Sequence, residues 1–271
     1  MIPAAMDYVR ADSAEAAVAA LAEHGEEAKL LAGGQSLIPL MRLRLATPAV
    51  LVDVGRASDL VGISVDSDTV SIGALTTHSA LEHSTDLATA CPLLAHVASV
   101  VGDPAVRHRG TLGGSLAHAD PASDLPAAVL ALGGTLVVTG PGGTREVAAT
   151  DFFTGFLESA LAADEVLTEV RVPVSTAGWA YQKFNRRAQD WAIVGAVVAE
   201  GGAGVALVNM GSTPLRASAV EAAVASGASA AEAAAGAADG TDPPTDTQAD
   251  AAYREHLARV LTARALEAAG A

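Results

Sequence analysis

The chain carries two glycine-rich loops of similar design, Leu31-Ala-Gly-Gly-Gln-Ser-Leu37 and Gly110-Thr-Leu-Gly-Gly-Ser-Leu116. Each lies near a predicted strand or helix start. A glycine doublet lets the backbone take positive φ and removes Cβ atoms that would block a ligand. Successive N–H groups can then face one concavity and bind phosphate oxygens. Ser36, Thr111 and Ser115 add hydroxyl donors. A lone Gly-Gly loop is more often just a turn, but two of them suit the two phosphates of a dinucleotide. Neither loop has the three glycines of the Rossmann fingerprint or the Lys-Ser/Thr of a P-loop, which disfavours both frames.

The elements around the loops follow from periodicity. A strand is expected at 7–10, and Ser13 caps a helix with Ala16, Ala17, Ala20 and Leu21 on one face and Gly25 past its end. A buried strand Ala28 to Ala32, an apolar segment Leu37 to Leu45 and a strand Val50 to Val54 complete a β-α-β-β start. Ile63 to Ile72 alternates around a polar turn and reads as a hairpin. A helical stretch is expected over 77–101, broken at Pro92, and another over 123–132. Leu136 to Thr139 and Thr144 to Val147 flank Gly140-Pro-Gly-Gly143 as a second hairpin, and a strand from Glu165 to Val172 ends at Pro173. Beyond it come strands near 179–185, 193–199 and 204–210, then helices near 216–226, 229–237 and 248–268. The last helix reads as packing. The expected units are 1–55 (α/β), 56–173 (α+β) and 174–271 (a three-stranded antiparallel sheet plus helices), an α+β chain with no sequence repeat.

Composition narrows the function. Aromatics are 3 % of a chain that is 51 % hydrophobic, so the core must be Ala, Val and Leu, with Phe152 and Phe153 as anchors. A net charge of −15 repels a phosphate backbone, which excludes nucleic acid as the expected partner. Basic islands at Arg107 to Arg109 and Lys183 to Arg187 stand out against that balance and point to a discrete anionic ligand or to solvated loops. The single cysteine, Cys91, forms no intramolecular disulfide and cannot supply the thiolates of an iron–sulfur cluster. No basic segment with an apolar run opens the sequence and no stretch is apolar enough to span a bilayer, so a cytoplasmic protein is expected. His78, His108 and His118 lack metal-ligand spacing, and no metal site is expected. Asp120, Asp124 and Asp151 are read as capping or structural carboxylates rather than an acid–base pair, since an anion is favoured where a helix begins near Ser123 or Asp124.

The stretch Arg107-His-Arg-Gly-Thr-Leu-Gly-Gly-Ser-Leu-Ala-His-Ala-Asp-Pro-Ala-Ser-Asp-Leu-Pro126 resembles the second flavin loop of the xanthine dehydrogenase and carbon monoxide dehydrogenase flavoproteins. Ala32-Gly-Gly-Gln-Ser-Leu37 resembles their first loop. The resemblance also takes in Thr76-Thr77-His78, Asp151-Phe-Phe153, Leu167 to Pro173, Tyr181 to Gly195, Tyr253-Arg254 and Arg264-Ala-Leu266, in order and at family spacing. It looks most like the separate medium subunit of the carbon monoxide dehydrogenase type. Two departures are Ser115, where the family usually has Asn, and His108, which replaces another.

The resemblance implies a two-subdomain FAD-binding fold of the vanillyl-alcohol oxidase / p-cresol methylhydroxylase type, extended by the C-terminal unit. It implies FAD held by the backbone of Ala32, Gly33, Gly34, Gln35 and Ser36, flanked by Leu31 and Leu37, and by Thr111, Gly113, Gly114 and Ser115, with Thr77 nearby. Asp124 matches a carboxylate that contacts the cofactor, Leu167 an apolar neighbour of the adenine or flavin, and Lys183, or its neighbour Gln182, a polar contact. Trp191 lies where an aromatic side chain is set close to the flavin ring. The implied function is electron transfer: a large molybdenum-cofactor subunit hydroxylates a substrate, a small 2Fe-2S subunit passes electrons to FAD, and FAD delivers them to an external acceptor, within a dimer of heterotrimers. No catalytic nucleophile or base is expected in this chain. The alternatives are a scaffold subunit that has lost FAD and a free-standing flavin oxidase.

Overall fold

Small residues at helical spacing between short apolar runs build the N-terminal region. In the computed structural model, which describes residues 2–271, β1 (Asp7–Arg10) leads to α1 (Ala14–His24), β2 (Ala28–Leu31), α2 (Leu37–Leu43) and β3 (Val50–Asp53). Ser13 caps α1 by accepting the Ala16 N–H at 3.1 Å, a contact worth about 1 kcal/mol. Gly25 ends the helix at φ +56°. Ala17, Ala20 and Leu21 are buried. Ala16 is exposed, against expectation, because it sits about 100° round the helix from Ala17, past the edge of the stripe. The apolar segment after the first glycine loop is a helix, so the start is β-α-β-α-β rather than β-α-β-β. The strands pair in the order β1-β3-β2, both pairs parallel.

The middle region comprises β4 (Ile63–Val65), β5 (Thr69–Gly73), α3 (His78–His83), α4 (Thr85–Ala90), α5 (Pro92–Ser99), α6 (Pro104–Arg107), α7 (Leu112–His118) and α8 (Asp124–Ala131). It continues through β6 (Thr135–Gly140), β7 (Gly143–Ala148), α9 (Ala149–Phe152), β8 (Phe153–Gly155), β9 (Glu158–Ser159) and β10 (Val166–Pro173). The helical stretch over 77–101 breaks twice, not once. Ser84 leaves the helix to cap α4 through the Leu87 N–H, and Pro92, lacking an N–H, starts α5. Both expected hairpins form, and the five-stranded antiparallel sheet runs β4-β5-β10-β6-β7. Phe152 is fully buried and meets Phe153 edge-on at 5.3 Å.

The C-terminal region holds β11 (Ala180–Phe184), β12 (Val194–Ala199), β13 (Gly204–Val208), β14 (Leu215–Arg216), α10 (Ser218–Ala225), α11 (Ala230–Ala234) and α12 (Ala251–Ala269). Its sheet is four-stranded, β11-β12-β13-β14, and not three-stranded. The two-residue β14 is too short to show any alternation. Both faces of this sheet are covered. Tyr181, Val197, Ala199, Ala206 and Val208 join the core of the middle region. Ala180, Val194, Ala196, Val198, Val205 and Leu207 face a second core with Leu257, Leu261 and Leu266 of α12. Two-sided burial explains why 194–199 and 204–208 read as unbroken apolar runs. Among the described residues no helix is long and apolar enough to cross a membrane.

Candidate functional site

A cleft of about 1010 Å³ is lined by residues of the N-terminal, middle and C-terminal regions, and both glycine loops line it. The first loop runs from the end of β2 into α2. Gly34 takes φ +75°, and the Ile38 N–H returns to its carbonyl at 3.1 Å. Ser36 stands at the helix N-cap without a side-chain cap bond. Among the described residues, the N–H groups of Gly33 to Leu37 have no acceptor inside the chain. Gly33 serves a different end. A Cβ there would lie 2.0 Å from the Arg109 carbonyl oxygen and 2.9 Å from Gly110 Cα. The two loops therefore touch backbone to backbone, and only glycine permits that approach.

The second loop spends its donors on the fold. The Leu112 N–H donates to Thr76 O at 3.0 Å and the Gly113 N–H to Ala74 O at 2.8 Å. The Gly114 N–H donates to Thr111 Oγ1 at 3.1 Å and the Ser115 N–H to Thr111 O at 3.0 Å. A Cβ on Gly113 would fall 2.5 Å from that of Ala74, so this doublet lets α7 press against the chain leaving β5. The expectation that both loops offer a row of N–H donors is corrected here: among the described residues only the Thr111 N–H of the second loop lacks an acceptor, beside its surface and the Ser115 hydroxyl.

Behind Gly110 stands His78, 4 % exposed and at the cleft wall. Its N–H donates to Gly110 O at 2.9 Å, and a Cβ on Gly110 would be 2.7 Å from its ring. Burial, helped by the Arg107 charge, pushes the imidazole down to about 4, so it is neutral at pH 7. Its Nδ1 has no partner. Among the described residues no group of His, Cys, Asp and Glu could hold a metal ion.

The floor of the cleft holds a buried charge cluster. Asp124, the first residue of α8, is 6 % exposed. One carboxylate oxygen accepts the Tyr181 hydroxyl; the other accepts Lys183 Nζ at 2.7 Å. Lys183 also donates to Val100 O at 3.1 Å. Burial pushes Asp124 upward against the opposing pull of Lys183, and burial followed by the Asp124 charge pushes Tyr181 well up. Removing one partner from such a pair costs about 3–5 kcal/mol, because the other charge is stranded.

Trp191 stands at the rim, 63 % exposed, in the loop between β11 and β12. Leu167 lies on β10 at 5 % exposure, along another wall. Of the residues anticipated from sequence, the lining thus brings together Ala32 to Leu37, Thr111, Gly113 to Ser115, Asp124, Leu167, Lys183 and Trp191. Leu31 and Thr77 do not line it. The Leu31 carbonyl is committed to the Val54 N–H, and Thr77 caps α3 through the Ala80 N–H and bridges Thr111. Sequence reasoning assigned no role to Tyr181, Asn209 or Arg254. The available signal was a polar side chain inside an apolar strand or helix stripe.

These residues fit FAD. The cleft pairs a row of N–H donors that lack an acceptor among the described residues with the partly buried Lys183 cation, and an aromatic side chain stands at its rim. Comparison with known proteins points the same way. Residues 4–175 match the family of the FAD binding domain in molybdopterin dehydrogenase, and residues 179–269 match the CO dehydrogenase flavoprotein C-terminal domain. The chain is 41 % identical to the carbon monoxide dehydrogenase medium chain of Afipia carboxidovorans, covering 100 % of this chain and 99 % of that one. It is 38 % identical to the caffeine dehydrogenase subunit beta of a Pseudomonas species, over 82 % of this chain and 78 % of that one. A solved carbon monoxide dehydrogenase from Hydrogenophaga pseudoflava, lacking the Mo-pyranopterin moiety of its molybdenum cofactor, superposes with a TM-score of 0.94 at 41 % identity, over 100 % of this chain and 99 % of that one. The chain belongs to the family of FAD-binding medium subunits of the molybdenum hydroxylases, and is an oxidoreductase flavoprotein of the carbon monoxide dehydrogenase type.

Proposed function

We propose that the cleft seats FAD with its pyrophosphate on the Ala32–Ser36 loop and its ring system toward Lys183 and Trp191. The observation that carries this is the run of N–H groups from Gly33 to Leu37 left without an acceptor beside an open cleft. Backbone donors fixed in place bind phosphate without reorganising. Leu167 offers an apolar wall for a ring. The partly buried Lys183, held by Asp124 and Val100 O, presents an anchored ammonium. Leu31 and Thr77 support the loops from behind. When bound, FAD supplies the redox chemistry, while the protein supplies binding, orientation and electrostatics.

The chain then works as the electron-transfer subunit of a cytoplasmic complex, fed by the iron–sulfur clusters of a small 2Fe-2S chain and paired with a large molybdenum-cofactor chain as a dimer of heterotrimers. The single Cys91 is buried, and burial pushes its thiol up to about 11, so this chain offers no thiolate for a cluster of its own. We read residues 1–55 and 56–173 as the two subdomains of a vanillyl-alcohol oxidase / p-cresol methylhydroxylase type fold, and 174–271 as the flavoprotein extension. The scaffold reading rests on Ser115 in place of Asn. The second loop holds its shape through backbone bonds, which that replacement leaves intact.

The test is spectral. The full chain, purified with the chains that accompany it, is expected to show flavin absorbance and to release FAD into the supernatant on acid precipitation. A colourless complex that takes up no added FAD overturns the reading. Recovery without a cysteine-rich small chain, combined with full substrate turnover, overturns the partner assignment.

A further inference from the structure

The loop carrying Trp191 is closed and clamped at its base. The Ile193 N–H donates to Phe184 O at 2.8 Å, which shuts residues 185–192 into a hairpin loop. The two carbonyls that follow Trp191 are then taken by side chains from distant elements. Asn209 Nδ2 donates to Ala192 O at 2.9 Å. Arg254, on α12, donates from its guanidinium to Ile193 O, and its other arm reaches Asp246 Oδ2 at 2.8 Å. The Asn209 N–H also donates to Pro121 O at 2.8 Å, joining this clamp to the turn before α8 that lines the cleft.

Both anchors are costly choices. Arg254 is 1 % exposed, at a position on α12 where an apolar side chain would pack; its two terminal nitrogens are bonded, while its Nε finds no partner among the described residues, so the cost of burying the guanidinium is only partly offset. Asn209 stands at φ +61°, a conformation that few side chains other than Asn adopt readily. Their bonds converge on adjacent carbonyls, one and two residues past an aromatic side chain that is mostly exposed at the rim of the cleft. An unanchored eight-residue loop would let that indole sample many positions. Anchored, its backbone is fixed and only its side-chain torsions remain free.

We infer that Asn209 and Arg254 are positioning residues that fix Trp191 against the bound flavin, so that the indole's approach is set by β13 and α12 rather than by the loop itself. The inference rests on the reading of Trp191 as a neighbour of the flavin ring. The test uses the FAD-loaded complex and the variants Trp191→Ala, Asn209→Gly, Arg254→Lys and Trp191→Ala/Asn209→Gly. Glycine at 209 keeps the positive φ and removes only the amide. Emission per bound flavin and flavin midpoint potential are read, with flavin content as the control. Trp191→Ala is expected to raise emission, because a nearby ring quenches flavin. Asn209→Gly and Arg254→Lys are expected to raise it in the same direction, and the double variant to rise no further than Trp191→Ala alone. If Trp191→Ala raises emission but both anchor variants match the parent, the inference falls and the Trp191 reading stands. An equal rise from Asn209→Gly in the Trp191→Ala background also overturns the inference, since the anchor then acts elsewhere. If Trp191→Ala changes neither emission nor potential, the Trp191 reading falls and takes the inference with it. Should Arg254→Lys not fold, Asn209→Gly decides alone.

Discussion

In the first glycine loop, the N–H groups of Gly33 to Leu37 find no acceptor among the described residues; in the second, those of Leu112 to Ser115 all find one. The same doublet thus does two jobs. In the first loop Gly34 turns the chain at positive φ, and a row of donors is left for a ligand. In the second, Gly113 removes a side chain so that α7 can sit against Ala74. They meet at Gly33, where a Cβ would strike the Arg109 carbonyl. A glycine pair marks a close approach, and only the census of hydrogen bonds tells whether the approaching body is a ligand or the protein's own backbone.

The largest effect is expected where the loops touch. Gly33→Val drives a branched side chain into backbone that cannot move aside, costing about 3 kcal/mol or more. Flavin content and thermal midpoint should fall together. Retention of both would show that the loops are not held in contact.

A slightly smaller effect belongs to the second loop's support. The His78 imidazole is held near 4 in the folded chain against an ordinary 6.5. The unfolded chain binds the extra proton between those values, so stability is fully present above about 6.5 and is lost as pH falls toward 4. The loss amounts to roughly 3 kcal/mol when complete. Denaturant titrations at pH 7.5 and pH 5 should show the drop in the parent and a flatter profile in His78→Phe. Equal slopes would remove His78 as the cause.

The two loops should separate under paired mild changes. Gly34→Ala strains the turn by about 1–2 kcal/mol and crowds only side-chain atoms, those of Ile38 and Leu31, so flavin occupancy should fall more than stability. Thr111→Ala removes the cap on the Gly114 N–H, costing about 1 kcal/mol, and stability should fall more than occupancy. The reverse pattern would exchange the roles assigned to the loops.

The gentlest probe changes no residue. In hydrogen exchange, the amides of 112–115 should be protected with or without FAD, and those of 33–37 only with it. Protection of both loops in the FAD-free complex would erase the distinction.

Much of the local structure was legible from sequence because its causes are local. Ser13 and Gly25 bracket α1, the polar turn at 66–68 makes the first hairpin, and Gly140 to Gly143 makes the second. The cleft residues were legible through motif resemblance, and most of them line one cavity. What sequence could not show depends on distant partners. Two of the second loop's N–H groups, those of Leu112 and Gly113, are spent on Thr76 and Ala74, more than thirty residues upstream. Arg254 falls within the resemblance but has no role to read until its guanidinium is found on the Ile193 carbonyl. Thr77 and Leu31 belong to the same motifs but do not line the cleft; Thr77 caps α3 and the Leu31 carbonyl accepts the Val54 N–H.

One strand also governs the order in which the chain can assemble. β10 lies between β5 and β6, and the two hairpins that flank it do not pair with each other. Until residues 166–173 have been synthesised, each hairpin keeps an unpaired edge, the kind of surface on which chains aggregate. Its arrival closes a contact spanning about a hundred residues of sequence, the slow kind of step in folding. Val166 then enters the N-terminal core while Leu167 enters the middle one. The same stroke that completes the sheet therefore joins two cores and raises one wall of the cleft, so a nascent chain has no complete cleft until residues 166–173 have been made, with Lys183 and Trp191 still to follow.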